Sequence, residues 1–168
     1  MTDLAVSSSS RKTAMNFFGA VRGWLDGVPY TLLALPLRLA VATVFWNSGT
    51  TKLANWDTAV ALFTDEYKVP LLPPEVAAYM AVTIELTAPV LLVLGLLTRP
   101  AAAVLLGMTT VIEIFVYPQA WPTHIQWAAM LLVLLCRGPG KLSLDHWLWR
   151  WLGGKRGSDV SNHLARRT

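Results

Sequence analysis

The stretch at residues 79–100, YMAVTIELTAPVLLVLGLLTRP, decides the fold class because it is a long apolar run that contains a glutamate. A helix of about 20 apolar residues can cross the roughly 30 Å hydrocarbon core of a bilayer. Glu85 lies inside this run, and Pro89 follows it by one helical turn. An ionisable side chain in a membrane span costs at least about 2.5 kcal/mol. We therefore expect Glu85 to face the protein interior and to have a partner there.

The composition extends this interpretation to the whole chain. Of its 168 residues, 54% are hydrophobic and 14% are charged, whereas soluble domains carry about 25% charged residues. Four apolar segments stand out, at about 31–53, 74–97, 101–117 and 122–136. The last two are shorter than a typical span. The sequence predicts an all-α polytopic membrane protein, a four-transmembrane-helix bundle with interfacial helices at both ends.

The basic residues predict the orientation of this bundle. They cluster before the first segment, at Arg99 between the second and third segments, and after the fourth segment. By the positive-inside rule, both termini are cytoplasmic. We predict a cytoplasmic tail with an interfacial helix at 1–30, a four-helix transmembrane domain at 31–137, and a basic cytoplasmic tail with an interfacial helix at 138–168. The net charge of +4 suits contacts with anionic lipids rather than with nucleic acid.

Several classes of chemistry have no support in the sequence. Cys136 is the single cysteine, and a dithiol–disulfide exchange enzyme needs a pair. The chain has no nucleophile elbow, phosphate-binding glycine loop, CxxC or haem-attachment motif. Any electrons used by this protein are therefore expected to come from a partner.

Ionisable residues inside the apolar segments are the candidates for a site. Arg38 and Lys52 lie on nearly the same side of the first segment, and Glu85 lies on a face of small residues in the second. Small residues let membrane helices approach closely, so this face is expected to point into the bundle. Glu113 in the third segment and His124 at the start of the fourth complete the set.

Two interpretations fit these residues. Glu85 and Glu113 pair with Arg38 and Lys52 and hold the helices in register, or the glutamates form a polar pocket that binds a small molecule or carries protons. A metal site is not favoured, because His124, Glu113 and Glu85 come from three helices without tight ligand spacing.

The order of short motifs resembles a known family. LRLAVATVFWNSGTTKL contains Arg38, Gly49 and Lys52, IELTAPVLLVLGLLTRPAA contains Glu85, and GPGKLSLDHWL contains Ser143 and Asp145. This arrangement resembles the DoxX family of small bacterial four-helix membrane proteins over about residues 31–150. The resemblance implies a four-helix bundle and a redox setting, since the family takes its name from a subunit of a thiosulfate:quinone oxidoreductase. On their own, Ser143 and Asp145 are expected to cap the helix that follows.

The resulting functional hypothesis is an inner-membrane subunit of a redox or detoxification system that binds a quinone or another small molecule in a polar intramembrane pocket. Glu85 and Glu113 are the candidate catalytic residues, and Arg38, Lys52 and His124 are the candidate ligand-binding residues. If the protein is an enzyme, it is a subunit of a quinone-linked oxidoreductase, with quinone as its cofactor. A protein partner or a homo-oligomer is expected. The alternatives are a non-enzymatic membrane scaffold and, less favoured, a small transporter.

Overall fold

The computed structural model describes residues 3–68 and 70–151, with side chains from residue 15 onward. The helices are α1 (Asp3–Asp26), α2 (Tyr30–Ala54), α3 (Trp56–Leu62), α4 (Pro74–Leu94), α5 (Thr98–Val111) and α6 (Trp121–Arg137), followed by α7 at 144–151. Single π-helical turns, Phe63–Tyr67 and Ile112–Val116, extend α3 and α5. A 3₁₀ turn at Pro118–Ala120 leads into α6. The predicted all-α class is confirmed, and the predicted tail at 152–168 lies outside the described residues.

Four helices form a bundle around one core. Helix α2 packs against α4, α4 against α5, α5 against α6, and α6 against α2. Each contributes apolar side chains that are almost completely buried, and these are Val41, Phe45, Ala88, Leu92, Leu105, Leu131 and Leu134. Within the described residues, the segments long and apolar enough to cross a membrane are Tyr30–Ala54, Pro74–Leu94 and Thr98–Val116. Helix α6 has 17 residues, so its membrane crossing remains a prediction.

The turn between α4 and α5 differs from the predicted segment bounds. Helix α4 ends at Leu94 because Gly95 adopts a left-handed conformation with φ of 66°. A Cβ atom on Gly95 would lie 2.6 Å from the Cβ of Ser143, so the turn requires glycine for both conformation and space. Leu97 is also left-handed, and α5 begins at Thr98 rather than at Ala101.

The segment after α6 stabilises the turn between α4 and α5. The Asp145 carboxylate accepts hydrogen bonds from the backbone N–H groups of Leu97 (2.9 Å) and Thr98 (3.1 Å). It therefore caps α5, whereas it was predicted to cap its own helix. The Ser143 hydroxyl accepts a hydrogen bond from the backbone N–H of His146 at 3.2 Å, so the predicted capping of α7 by Ser143 is confirmed.

Helix α1 presents large apolar side chains to its surroundings. Phe17, Phe18 and Trp24 are 64%, 69% and 73% exposed. At 100° per residue they share one side of the helix with Val21 and Leu25, whereas Arg22 and Asp26 lie on the other side and form a 3.6 Å ion pair. An interfacial helix requires this amphipathic pattern, and the interfacial location of α1 stays a prediction.

Candidate functional site

A cavity of about 450 Å³ lies inside the bundle. Helices α2, α4, α5 and α6 form its walls, and the two π-helical turns cover one end. Its lining is mostly apolar, with a few polar side chains. The lining residues are Val44, Phe45, Ser48, Lys52, Phe63, Tyr67, Leu72, Ala77, Met80, Ala81, Ile84, Glu85, Val104, Met108, Val111, Ile112, Val116, Tyr117, His124 and Trp127. This size and lining are typical of sites for small molecules.

One polar wall of the cavity is an ion pair between α2 and α4. The Lys52 ammonium donates to both carboxylate oxygens of Glu85, at 2.8 Å each, and to the hydroxyl of Ser48 at 2.7 Å. Ser48 in turn donates to Glu85 Oε1 at 3.0 Å. The side chains of Lys52 and Glu85 are 16% and 2% exposed. All three ammonium hydrogens are therefore used within this group.

The sequence places Glu85 here through small residues on both helices. A Cβ atom on Gly49 would lie 2.9 Å from the Cβ of Glu85, so α2 and α4 cross closely at this level. On α4, Ala78, Ala81 and Ala88 are buried on the same face as Glu85. The prediction that this face points into the bundle is confirmed, and so is the pairing of Glu85 with a cation. Pro89 is buried within α4, which continues as an α-helix through it.

The other polar wall is formed by α6 and the π-helical turn after α5. His124 Nδ1 lies 2.6 Å from Glu113 Oε2. The side chain of His124 is 6% exposed and that of Glu113 is 19% exposed. With Glu113 as the acceptor, Nδ1 carries the proton and Nε2 is the free ring nitrogen. His124 lines the cavity and packs against Trp127 at 5.1 Å between ring centroids.

Comparison with known proteins identifies the family. The DoxX family profile matches residues 33–118. The chain belongs to the DoxX family. It is 30% identical over 136 residues to an uncharacterized protein of Haemophilus influenzae, covering 72% of this chain and 86% of that protein. It is also 30% identical over 133 residues to the inner membrane protein YphA of Escherichia coli, covering 71% of this chain and 92% of YphA. No solved structure matches the sequence.

In this DoxX protein, Arg38 has different hydrogen-bond partners from the predicted glutamates. Its guanidinium donates to backbone carbonyls on two segments, at Leu92 (2.6 Å) and Leu142 (2.7 Å), and also to those of Val93 and Pro139. Leu92 lies seven residues beyond Glu85, which is roughly 10 Å along α4. The expectation that Arg38 pairs with a glutamate is therefore wrong, and Arg38 does not line the cavity. It joins α2 to the end of α4 and to the segment after α6.

Four of the five predicted site residues belong to the cavity, and the fifth, Arg38, does not. Lys52, Glu85 and His124 line the DoxX cavity, and Glu113 contacts it through His124. Ser48 was not predicted, although it lies four residues before Lys52 and the two side chains therefore share one face of α2. Its hydroxyl completes the ion-pair network.

A second missed contact joins the two π-helical turns that cover the cavity. The Tyr117 hydroxyl donates to Glu66 Oε1 at 2.7 Å, and the rings of Tyr67 and Tyr117 pack edge to face at 5.6 Å. The hydrogen bond to Glu66 raises the pKa of Tyr117 above its ordinary value. No sequence pattern signals this contact, because Glu66 and Tyr117 are 51 residues apart.

Proposed function

We propose that this DoxX protein is an inner-membrane subunit that binds a lipid-soluble quinone in the cavity and supplies one of the two protons that its reduction requires. In this proposal α6 is the fourth span, both termini are cytoplasmic, and a redox partner delivers the electrons. Three apolar helices of spanning length and the similarity to the inner membrane protein YphA support the membrane setting.

The observation that carries the proposal is the unpaired ring nitrogen of His124 in the mostly apolar cavity. The Lys52, Ser48 and Glu85 group satisfies itself, whereas Nε2 of His124 has no hydrogen bond within the described part of the chain. A ligand in the cavity can reach this nitrogen, because His124 lines the cavity. A quinone matches this nitrogen in both redox states, because its carbonyl oxygen accepts from Nε2–H of the protonated ring and the hydroxyl of the quinol donates to Nε2 of the neutral ring. The apolar body of the molecule matches the rest of the lining.

The reaction defines what the residues must do. Reduction of a quinone to a quinol takes up two electrons and two protons, and each proton ends on a carbonyl oxygen. His124 in its protonated form donates the Nε2 proton to one of these oxygens, and the second proton is delivered with the electrons by the redox partner. Glu113 faces Nδ1 at 2.6 Å, so its carboxylate stabilises the imidazolium and keeps the ring oriented. Glu113 is thus a positioning residue, and His124 contacts the ligand.

The ion pair has a different role in this proposal. Lys52 places a positive charge at the wall facing the cavity, and that charge stabilises negative charge on the quinone oxygen as electrons arrive. Glu85 compensates Lys52 while the cavity is in its resting state, because both carboxylate oxygens lie 2.8 Å from Nζ.

The first experiment measures quinone binding to the purified protein in lipid nanodiscs. His124→Phe keeps an aromatic ring and removes Nε2. A hydrogen bond to a charged group contributes about 1.5–3 kcal/mol, so we expect the affinity to fall by roughly 10-fold to 150-fold. The matched control is His146→Phe, which removes a histidine of α7 and should bind as the wild type does. Equal affinities for the wild type and His124→Phe would reject the binding role of His124.

The second experiment separates binding from proton delivery. Glu113→Gln retains an acceptor for Nδ1 but lacks the charge that stabilises the imidazolium. In native membranes containing the partner, we expect quinone reduction by this variant to slow by at least about tenfold, with binding changed by less than about threefold. Loss of binding with unchanged turnover of the bound quinone would contradict the positioning role.

The exposed faces of the terminal helices favour a second candidate, a non-enzymatic membrane anchor for a partner protein. Phe17, Phe18 and Trp24 on α1 are each more than 60% exposed, and the apolar side of such a helix can lie in the membrane interface. If anchoring is the whole function, deleting residues 150–168 releases the partner, whereas Glu113→Gln and His124→Phe leave cellular activity unchanged.

A further inference from the structure

We infer that the cavity opens sideways into the lipid between α4 and α5, and that the apolar chain of its ligand leaves the bundle through this opening. The inference rests on the proposed function and adds the ligand class, a head group that carries a single long isoprenoid chain. The opening is named here the lateral portal, and its rim is formed by Met80 on α4 and by Val104 and Val111 on α5.

Of the four cavity-lining residues that are exposed in the described part of the chain, three lie on the seam between α4 and α5, and the fourth, Leu72, lies in the loop before α4. Met80, Val104 and Val111 line the cavity and yet are 49%, 48% and 38% exposed. On the opposite side, the lining residues Phe45 and His124 are only 2% and 5% exposed. A side chain that is open both to a cavity and to the outer surface marks the edge of an aperture. The aperture therefore lies along the seam between α4 and α5.

Local packing limits the width of the seam. Near the turn between the two helices, Ala88, Ala101 and Ala102 are buried and hold α4 and α5 close together. Farther from the turn, α5 passes into the π-helical turn at Ile112–Val116, which is wider than an α-helix because its hydrogen bonds span one more residue. Beyond the turn between the two helices, Met108 on α5 still packs against the buried cluster that contains Ala77, Ala78 and Ala81 on α4, so the portal is a gap beside this contact and not a separation of the two helices.

The surroundings of the portal indicate its occupant. Both helices are long and apolar enough to cross a membrane, so an opening between them faces acyl chains rather than water. The cavity of about 450 Å³ falls in the range that holds a drug-sized molecule. A head group fits inside it, whereas a long isoprenoid chain has to continue outside. The three rim residues are apolar, as contact with such a chain requires.

The experiment compares two compounds that share one quinone head group, one with a long isoprenoid chain and one without it. Binding of both to the protein in nanodiscs is measured for the wild type, Val104→Trp and Ala103→Trp. Trp at position 104 fills the portal, whereas Ala103 is exposed on the same helix and does not line the cavity. We expect Val104→Trp to weaken the long-chain compound at least about tenfold and the short compound less than about twofold. Ala103→Trp should change neither.

The same comparison is made with Met80→Trp, which blocks the portal from α4. A selective loss in this variant as well shows that the effect of Val104→Trp is not a folding defect of α5. Unchanged binding of the long-chain compound by both tryptophan variants would overturn the portal, and so would an equal loss for both compounds. If the wild type binds neither compound, the proposed function itself is wrong and the portal is rejected with it. If the wild type binds the short compound and neither tryptophan variant selectively weakens the long-chain compound, the portal alone is rejected.

Discussion

Removing the cation from the Lys52–Glu85 pair should destabilise the bundle strongly. In Lys52→Met, the Glu85 carboxylate would remain 2% exposed and would keep only the 3.0 Å hydrogen bond from Ser48. Removing one partner of a buried ion pair costs about 3–5 kcal/mol, mostly because the other charge is left uncompensated. We expect the free energy of unfolding of Lys52→Met to fall by about this amount.

The double variant Lys52→Met/Glu85→Gln tests the cause of that loss. Glutamine retains an oxygen that accepts from Ser48, and neither charge remains. Replacing a buried pair by neutral groups is often close to neutral in stability. The double variant should therefore recover most of the loss, with a coupling between the two sites of at least about 1 kcal/mol.

The assay is reversible unfolding in mixed micelles, followed by circular dichroism at pH 7. Lys141→Met is the matched control, because Lys141 is exposed and surface substitutions usually change stability by less than about 0.5 kcal/mol. A loss below about 1 kcal/mol for Lys52→Met would be typical of a solvent-exposed pair. That result, or strict additivity in the double variant, would refute the buried pair.

Three further predictions concern the ends of the bundle and use the same unfolding assay. Arg38→Lys should lower stability by about 1–3 kcal/mol, because lysine cannot serve all of the carbonyls that the guanidinium binds; wild-type stability would contradict this. Asp145→Ala should cost about 0.5–2 kcal/mol by uncapping α5, and Asp145→Asn should retain more of the stability; equal losses for both would argue against capping. Tyr117→Phe should cost about 0.5–1.5 kcal/mol. The pKa of Tyr117 is raised in the folded protein, so the stability that its hydroxyl contributes is complete below about pH 10 and is lost as the pH rises through the folded-state pKa. The difference in unfolding free energy between Tyr117→Phe and the wild type should therefore shrink only in strongly alkaline solution.

The residue pattern of α4 was enough to predict which of its faces points into the bundle. Glu85 lies among alanines at helical spacing, and an unpaired carboxylate in lipid is too costly, so an inward orientation followed from the sequence. The identity of its partner did not follow. Arg38 and Lys52 share a side of α2, and only the antiparallel register of α2 and α4 brings Lys52, and not Arg38, to the level of Glu85.

The cavity and its covering could not be predicted in the same way. Glu113 and His124 meet across a helix break that includes a π-helical turn, and such turns have no simple sequence signature. Asp145 lies at the start of α7, which suggested a local cap, yet its carboxylate binds the backbone of the distant α4–α5 turn. Contacts of this kind depend on how separate segments pack, and hydrophobic periodicity does not specify that.

The most direct test of the central claim is the content of the cavity in protein purified from its native membrane. Solvent extraction and mass spectrometry of the wild type should detect a quinone with an isoprenoid chain at close to one molecule per chain. The same preparation of His124→Phe should contain less than about a tenth of that amount, and His146→Phe should match the wild type. Absence of quinone from the wild type, or equal amounts in the wild type and His124→Phe, would contradict the account.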